Sequence, residues 1–259
     1  MLAFILRLTT RGAASCGLLF GLTVFLRAET NDFAARAERV FDEAKISARK
    51  NPDVNNTSVQ LARLSFDWAE FARDDDQREE IAQTGIAAAR AVITRQSTNS
   101  AAHYWLGMNL GQLARTRTLG ALRLVREMED EFHRARNYDP HTDYAGPDRS
   151  LGMLYRDAPG WPTSIGSRKK SREHFENAIR LHPEFPDNQL GLLEAFDDWA
   201  DRKNFQRQLP VTEKTVAEAK TKFVGVSWAS SRADWSQRLA KMKRRGENSG
   251  PIAPGKSGR

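Results

Sequence analysis

Cysteine is almost absent from this sequence: of 259 residues only Cys16 is one, so no disulfide can form within the chain and no cysteine-based metal site can be assembled. Runs of β-branched residues are also missing, which argues against a sheet. No apolar run reaches the roughly 20 residues that a membrane-spanning helix needs. The five histidines, His103, His133, His141, His174 and His182, contain no HExxH and no pair at i, i+4, so a metal site would require distant partners. No nucleophile stands beside a base in any recognisable pattern. Gly250-Pro-Ile-Ala-Pro-Gly255-Lys256-Ser257 fits the letters of a phosphate-binding loop, but its two prolines lack the amide donors such a loop uses and no strand precedes it. These gaps exclude the common enzyme classes, and no cofactor or metal is expected.

The ends of the chain differ from its middle. Residues 1–28 carry Arg7 and Arg11, an apolar or small stretch from Gly12 to Leu26, and Arg27-Ala28 before a polar segment. This pattern reads as a secretory signal cut after Ala28, giving an exported, periplasmic protein; an uncleaved N-terminal membrane anchor is the alternative. Cys16 precedes most of the apolar stretch, the wrong order for lipid attachment. The net charge of +7 also belongs to the ends. Residues 1–28 contribute +3 and residues 241–259 contribute +5, so residues 29–240 are left at −1. A balanced body gives no reason to expect nucleic acid. Residues 246–259 read as a disordered basic tail, with a weak contact to an anionic membrane surface as the alternative.

Residues 29–245 read as a helical repeat domain. Apolar residues recur at three- and four-residue steps, as in Phe33, Ala37, Val40, Phe41 and Ala44. A first helix is predicted from Asp32 to Arg49, stopped by Asn51-Pro52. Thr57-Ser58-Val59-Gln60 predicts a capping box opening a helix that runs to Arg73. Asp74-Asp75-Asp76 then places negative charge at the next helix start, where the macrodipole favours it.

The most specific signal is a doubled phrase. Phe132-His-Arg-Ala135 followed by Pro140 recurs as Phe175-Glu-Asn-Ala178 followed by Pro183, each preceded by a Leu-Gly pair, Leu106-Gly107 and Leu151-Gly152. Leu64-Ser65 and Leu190-Gly191 mark an earlier and a later copy. Helical hairpins are therefore expected to begin near residues 58, 100, 147 and 187. The second helix of the last should span Thr212–Phe223, and a final helix, Ser227–Arg245, should cap the end with Trp228, Trp235 and Leu239. The fold class is all-α: about four tetratricopeptide-like hairpins between an N-terminal and a capping C-terminal helix. The repeated Gly, Ala and Pro residues are packing residues.

On Leu106, Gly107, Phe132, Ala135, Pro140, Leu151, Gly152, Tyr155, Ser171, Phe175, Ala178 and Pro183, the chain resembles tetratricopeptide-repeat proteins. With the N-terminal segment, Tyr104-Trp105-Leu106-Gly107 and a long loop between helices, it resembles more narrowly the T-component of TRAP transporters. That resemblance implies a non-enzymatic periplasmic protein, an accessory to a solute transporter, which associates with a solute-binding protein and encloses an apolar cleft. A lipid anchor, typical of that family, has no matching cysteine here. The other reading is a protein-interaction scaffold without a small-molecule site.

If the first helix of each hairpin lines a groove, the residue after each repeated Gly is a candidate ligand contact: Phe66, Met108, Met153 and Leu192, joined by Tyr104, Arg149 and Arg156. An apolar trough with two arginines suits an amphipathic ligand with an acidic group. The alternative is that these residues fill the space between neighbouring helices. The loop from Ala158 to Gly166 presents Trp161 and Ile165 among prolines and glycines, as a lid, as a docking element for a partner, or as a plug in the hairpin.

Overall fold

A computed structural model describes residues 22–52, 54–117 and 120–248; of residues 22–31 and 248 it describes the backbone. Cys16, the start of the expected signal, the phosphate-loop lookalike and the tail from residue 249 lie outside the described residues. Among the described residues the regular elements are ten α-helices and one short 3₁₀ turn. Helix α1 (Leu22–Lys50) is followed by four hairpins: α2 (Asn55–Ala69) with α3 (Asp75–Arg95), α4 (Ser100–Arg115) with α5 (Ala121–Tyr138), α6 (Thr142–Asp157) with α7 (Arg168–Leu181), and α8 (Pro186–Asp198) with α9 (Arg202–Lys222). The 3₁₀ turn Val226–Trp228 leads into α10 (Ala229–Asn248). The all-α, hairpin-solenoid reading of the sequence is the observed fold. No helix among the described residues is long and apolar enough to cross a membrane.

Two compact units form. Of the described residues, the first holds those up to Thr142 together with Asp157–Ile165, and the second holds Asp143–Arg156 and those from Gly166 on. In the first unit, α2 packs on α1, α3 and α4, and α4 packs on α3 and α5. Its buried residues include Phe41, Ala44, Leu61, Trp68 and Ile81. In the second unit, α8 packs on α7 and α9, and α10 covers α8 and α9. Trp235 is fully buried there with Phe185, Leu190, Val216 and Phe223, flanked by Tyr144, Trp228 and Leu239, which is the capping role expected of α10.

The doubled phrase works as a ring in a notch. A Cβ on Gly107 would lie 2.5 Å from Cε1 of Phe132, and one on Gly152 would lie 2.9 Å from the Phe175 ring. Phe175 serves twice, because a Cβ on Gly191 would lie 2.5 Å from its Cε1. Glycine is therefore required by close approach of an aromatic ring. Ala135 and Ala178 are fully buried. Pro140 and Pro183 follow directly on the ends of α5 and α7, where they cannot extend the ladder. We expect Gly191→Ala to destabilise the second unit by about 1–3 kcal/mol, as overpacking does. Phe175→Leu should recover part of that loss when combined with it, which urea unfolding of the single and double variants would measure.

Several expected boundaries differ from those observed: α2 ends at Ala69 rather than Arg73, and the third hairpin opens at Thr142 rather than near residue 147. Helix α1 begins ten residues before Asp32. Helix α2 starts at Asn55, before the expected capping box: the Thr57 hydroxyl donates back to the Val54 carbonyl at 2.7 Å, so it caps nothing. A capping arrangement forms instead at Asp74. Its carboxylate accepts from the Gln77 amide at 2.8 Å, while the Gln77 side chain accepts from the Arg73 amide at 2.9 Å. That backbone hydrogen bond is the main cause holding the Asp74 carboxyl below its ordinary range. Helix α9 starts at Arg202, ten residues before Thr212, because Asp201 caps it and the chain tolerates Pro210 inside it. Buried Phe205, Thr212 and Val216 offset the roughly 3 kcal/mol that an interior proline costs. Finally, α10 extends to Asn248, so the first residues assigned to the tail are helical.

Candidate functional site

The first helices of the hairpins carry the candidate contacts, and they are the most enclosed elements of the fold. Every residue of α4 from Ala102 to Leu110 is buried, as is every residue of α6 from Ala145 to Tyr155. A helix enclosed on all sides is an interior element, and its polar residues must find partners within the chain. Accordingly Phe66, Tyr104, Met108, Met153 and Leu192 expose between 0 and 4% of their surface. In the first unit, Tyr104 meets Trp105 edge-on at 4.7 Å and Phe132 at 6.2 Å, and Phe66 lies 6.0 Å from Trp105. These rings fill space between helices.

Arg149 is bound to the chain itself. Its guanidinium donates to the Tyr144 carbonyl at 3.0 Å, the Asp143 carbonyl at 3.1 Å, the Asp143 carboxylate at 2.7 Å and the Asn188 side-chain oxygen at 3.0 Å. What it holds is unusual: Asp143, Tyr144 and Ala145 are three consecutive left-handed residues, with φ of 49°, 55° and 61°. Each costs roughly 1–2 kcal/mol for an L-residue. The right-handed part of α6 starts only after them, so Pro147 falls in its first turn, where proline fits. Asn188 secures the same turn from α8, donating to the carbonyls of Tyr144 (3.2 Å), Ala178 (3.1 Å) and His182 (3.0 Å). The Tyr144 ring, turned inward, stacks on Phe185 at 4.5 Å.

Arg156, the other expected groove arginine, lies 3.6 Å from Glu194 and 3.7 Å from Asp198. It forms the edge of a larger buried network. Arg238 of α10 forks onto Glu194 with two bonds, 2.8 and 3.0 Å, and also donates to Asp187 at 2.6 Å. The other oxygen of Asp187 accepts from the Trp235 indole at 2.9 Å. Burial, the largest single cause, pushes both carboxyls up, but Arg238 together with Arg149 and the Trp235 hydrogen bond at Asp187, and with Arg156 at Glu194, outweighs it, so both titrate below their ordinary range. In the first unit a smaller pair does the opposite. Burial holds the Glu70 carboxyl above its usual range despite Arg115 and a 2.5 Å bond from Gln112, and pulls the Arg115 guanidinium down to about 10.

The loop residues stand apart from this interior. Trp161 is 88% exposed and therefore plugs nothing, while Ile165 is half-buried. Ser167 caps α7 by accepting from the Lys170 amide at 3.3 Å, and Arg168, Lys169 and Lys170 are all exposed at that helix start. Among the described residues no group of three or more His, Asp or Glu side chains is arranged to hold a metal ion.

No family model and no curated protein matches this chain. Among solved structures, TTC0263, a thermophilic tetratricopeptide-repeat protein of Thermus thermophilus, aligns over 86% of this chain and 96% of its own, at 16% identity and a TM-score of 0.57. The fold is of the tetratricopeptide kind. A structure of MamA aligns over 80% of this chain and 99% of its own, at 16% identity and a TM-score of 0.48. The buried polar network also draws on Asp187, Asn188, Glu194 and Arg238, none of which the sequence reading singled out. One signal was available. The position four before the repeated Gly is ionisable in three hairpins, as His103, Asp148 and Asp187, although it lies on a helix face that the apolar pattern assigns to the interior.

Proposed function

We propose that this chain is a non-enzymatic helical-repeat scaffold that binds a protein partner, with the loop Asp157–Ile165 as a contact element. The observation that carries this reading is Trp161. An indole exposed at 88% on a segment bordered by Pro159, Gly160 and Pro162 is the kind of rigid aromatic anchor around which interfaces concentrate their energy. The engagement of Arg149, Asp187, Glu194 and Arg238 with one another or with the backbone supports a structural role for the buried charges rather than chemistry.

The finer reading, an exported accessory of a solute transporter with an apolar cleft, rests on the sequence resemblance. The burial of Met108, Met153 and Leu192 supports their role as packing over a role in an open cleft. Export itself rests on the pattern of residues 1–28.

Native mass spectrometry of protein purified from its source separates the readings. A co-purified polypeptide is expected, and Trp161→Ala should weaken its binding by about 30-fold, a hot-spot loss, with no change in Tm. A co-purified small molecule in place of a polypeptide, or unchanged affinity in the variant, would sink the proposal.

A further inference from the structure

His103 on α4 is 2% exposed, and both of its ring nitrogens are engaged. Nδ1 lies 2.5 Å from the Glu131 carboxylate of α5, and Nε2 lies 2.8 Å from the Ser97 carbonyl in the turn between α3 and α4. A carboxylate and a carbonyl can only accept. The arrangement therefore asks the ring for two N–H donors, and only the imidazolium has two. A neutral ring would set a nitrogen lone pair against one of the two oxygens.

The charged groups that face the ring are Glu131 and Arg134, both on α5. Arg134 holds the other Glu131 oxygen at 2.6 Å. Tyr138, also on α5, lays its ring 5.4 Å from the imidazole. From the α3 side comes the Ser97 carbonyl, beside Asn99, whose side chain accepts from the Ala102 amide at 2.9 Å and so starts α4.

The pair also has a place in the repeat. His103 stands four residues before Gly107, and Glu131 stands one before Phe132. In the next hairpin the same two positions are Asp148 and His174, and they too meet, Oδ1 to Nδ1, at 2.7 Å. Acid and imidazole have changed places while the contact between helices persists. Two reciprocal copies mark the pairing as a property of the hairpin.

We propose that the His103–Glu131 pair is a proton-operated latch: with the ring doubly protonated it ties both α5 and the α3–α4 turn to α4, and loss of a ring proton frees the turn at Ser97. Burial pushes this imidazole toward its neutral form, but the Glu131 and Ser97 hydrogen bonds together with the Glu131 charge outweigh burial, and its pKa lies above the ordinary 6.5. Because the folded value is the higher one, the stabilisation from the latch is fully present below about pH 6.5 and is lost as pH rises through the folded value.

Amide hydrogen exchange of the full chain between pH 5.5 and 9, corrected for intrinsic rates, tests this. Protection of the amides from Ser97 to His103 should fall by up to about tenfold for each pH unit between about pH 6.5 and the folded pKa, and level off above it. His103→Gln should abolish that pH dependence. The exchanged pair, His103→Asp with Glu131→His, should restore the link between α4 and α5 without the response at Ser97. Protection in the turn that stays constant while the His103 ring titrates would overturn the latch. So would a pH response that survives in either variant, and the exchanged pair decides the matter even if His103→Gln does not fold.

Discussion

Replacing Arg238 with methionine should destabilise the second unit by about 3–5 kcal/mol, the cost of breaking a buried ion pair from one side. The guanidinium is almost fully enclosed and bonds to Asp187 once and to Glu194 twice. Without it, two carboxylates remain inside the protein with their burial no longer offset. The pH profile should then reverse its sign. In the wild type both carboxyls titrate below their ordinary range, so the stability they contribute is present above about pH 4, near their unfolded values, and is lost as pH falls through the still lower folded values. In Arg238→Met the same burial raises both carboxyls, so lowering the pH from 8 toward 5 should neutralise them and recover stability. Urea midpoints of the second unit across that range would show a variant that gains on acidification relative to the wild type. Parallel profiles would mean that the network contributes little beyond packing.

Arg149→Met should cost a similar amount, about 3–5 kcal/mol, for a different reason. The lost contacts include the two carbonyls of the left-handed turn, the Asp143 carboxylate and the Asn188 amide oxygen. The strain in the turn would then go unopposed. Asn188→Leu removes the second support of the Tyr144 carbonyl, so the two substitutions share a partner and should be non-additive in a double-mutant cycle by 0.5–3 kcal/mol in order of magnitude. Additive losses, or a variant with wild-type stability, would show that stacking of Tyr144 on Phe185 alone fixes the turn.

The hairpins were legible in the sequence because their signals are local. Gly107, Gly152 and Gly191 sit mid-helix at fixed offsets from Leu, and Pro140 and Pro183 follow the helix ends, so the observed starts at Ser100 and Pro186 agree with the expected ones. Helix α9, expected from Thr212, starts ten residues earlier because the packing of Phe205 that carries it through Pro210 is tertiary. The candidate site was far less legible. Asp187 meets Arg238 across 51 residues of sequence, and His103 meets Glu131 across 28. Such pairings leave no periodicity, and an arginine destined for a buried clamp, such as Arg149, looks in sequence like one offered to a ligand. The burial of Met108, Met153 and Leu192 is likewise set by the neighbouring helices that enclose α4, α6 and α8, and enclosure of that kind is not written in the residues of one helix.

The ring-in-notch contact bears on how this chain could change over generations. Gly107 and Phe132 are 25 residues apart, whereas Gly152 and Phe175 are 23 apart, yet the same contact closes both hairpins. The connecting segment has five residues in the first (116–120) and ten in the second (158–167), while the helical stretches between glycine and ring are longer in the first, so helix and loop length can trade against each other without disturbing the contact. Phe175, lodged against both Gly152 and Gly191, leaves no such freedom on its far side: a change at any one of the three must be met by the other two, so hairpins three and four change as one block.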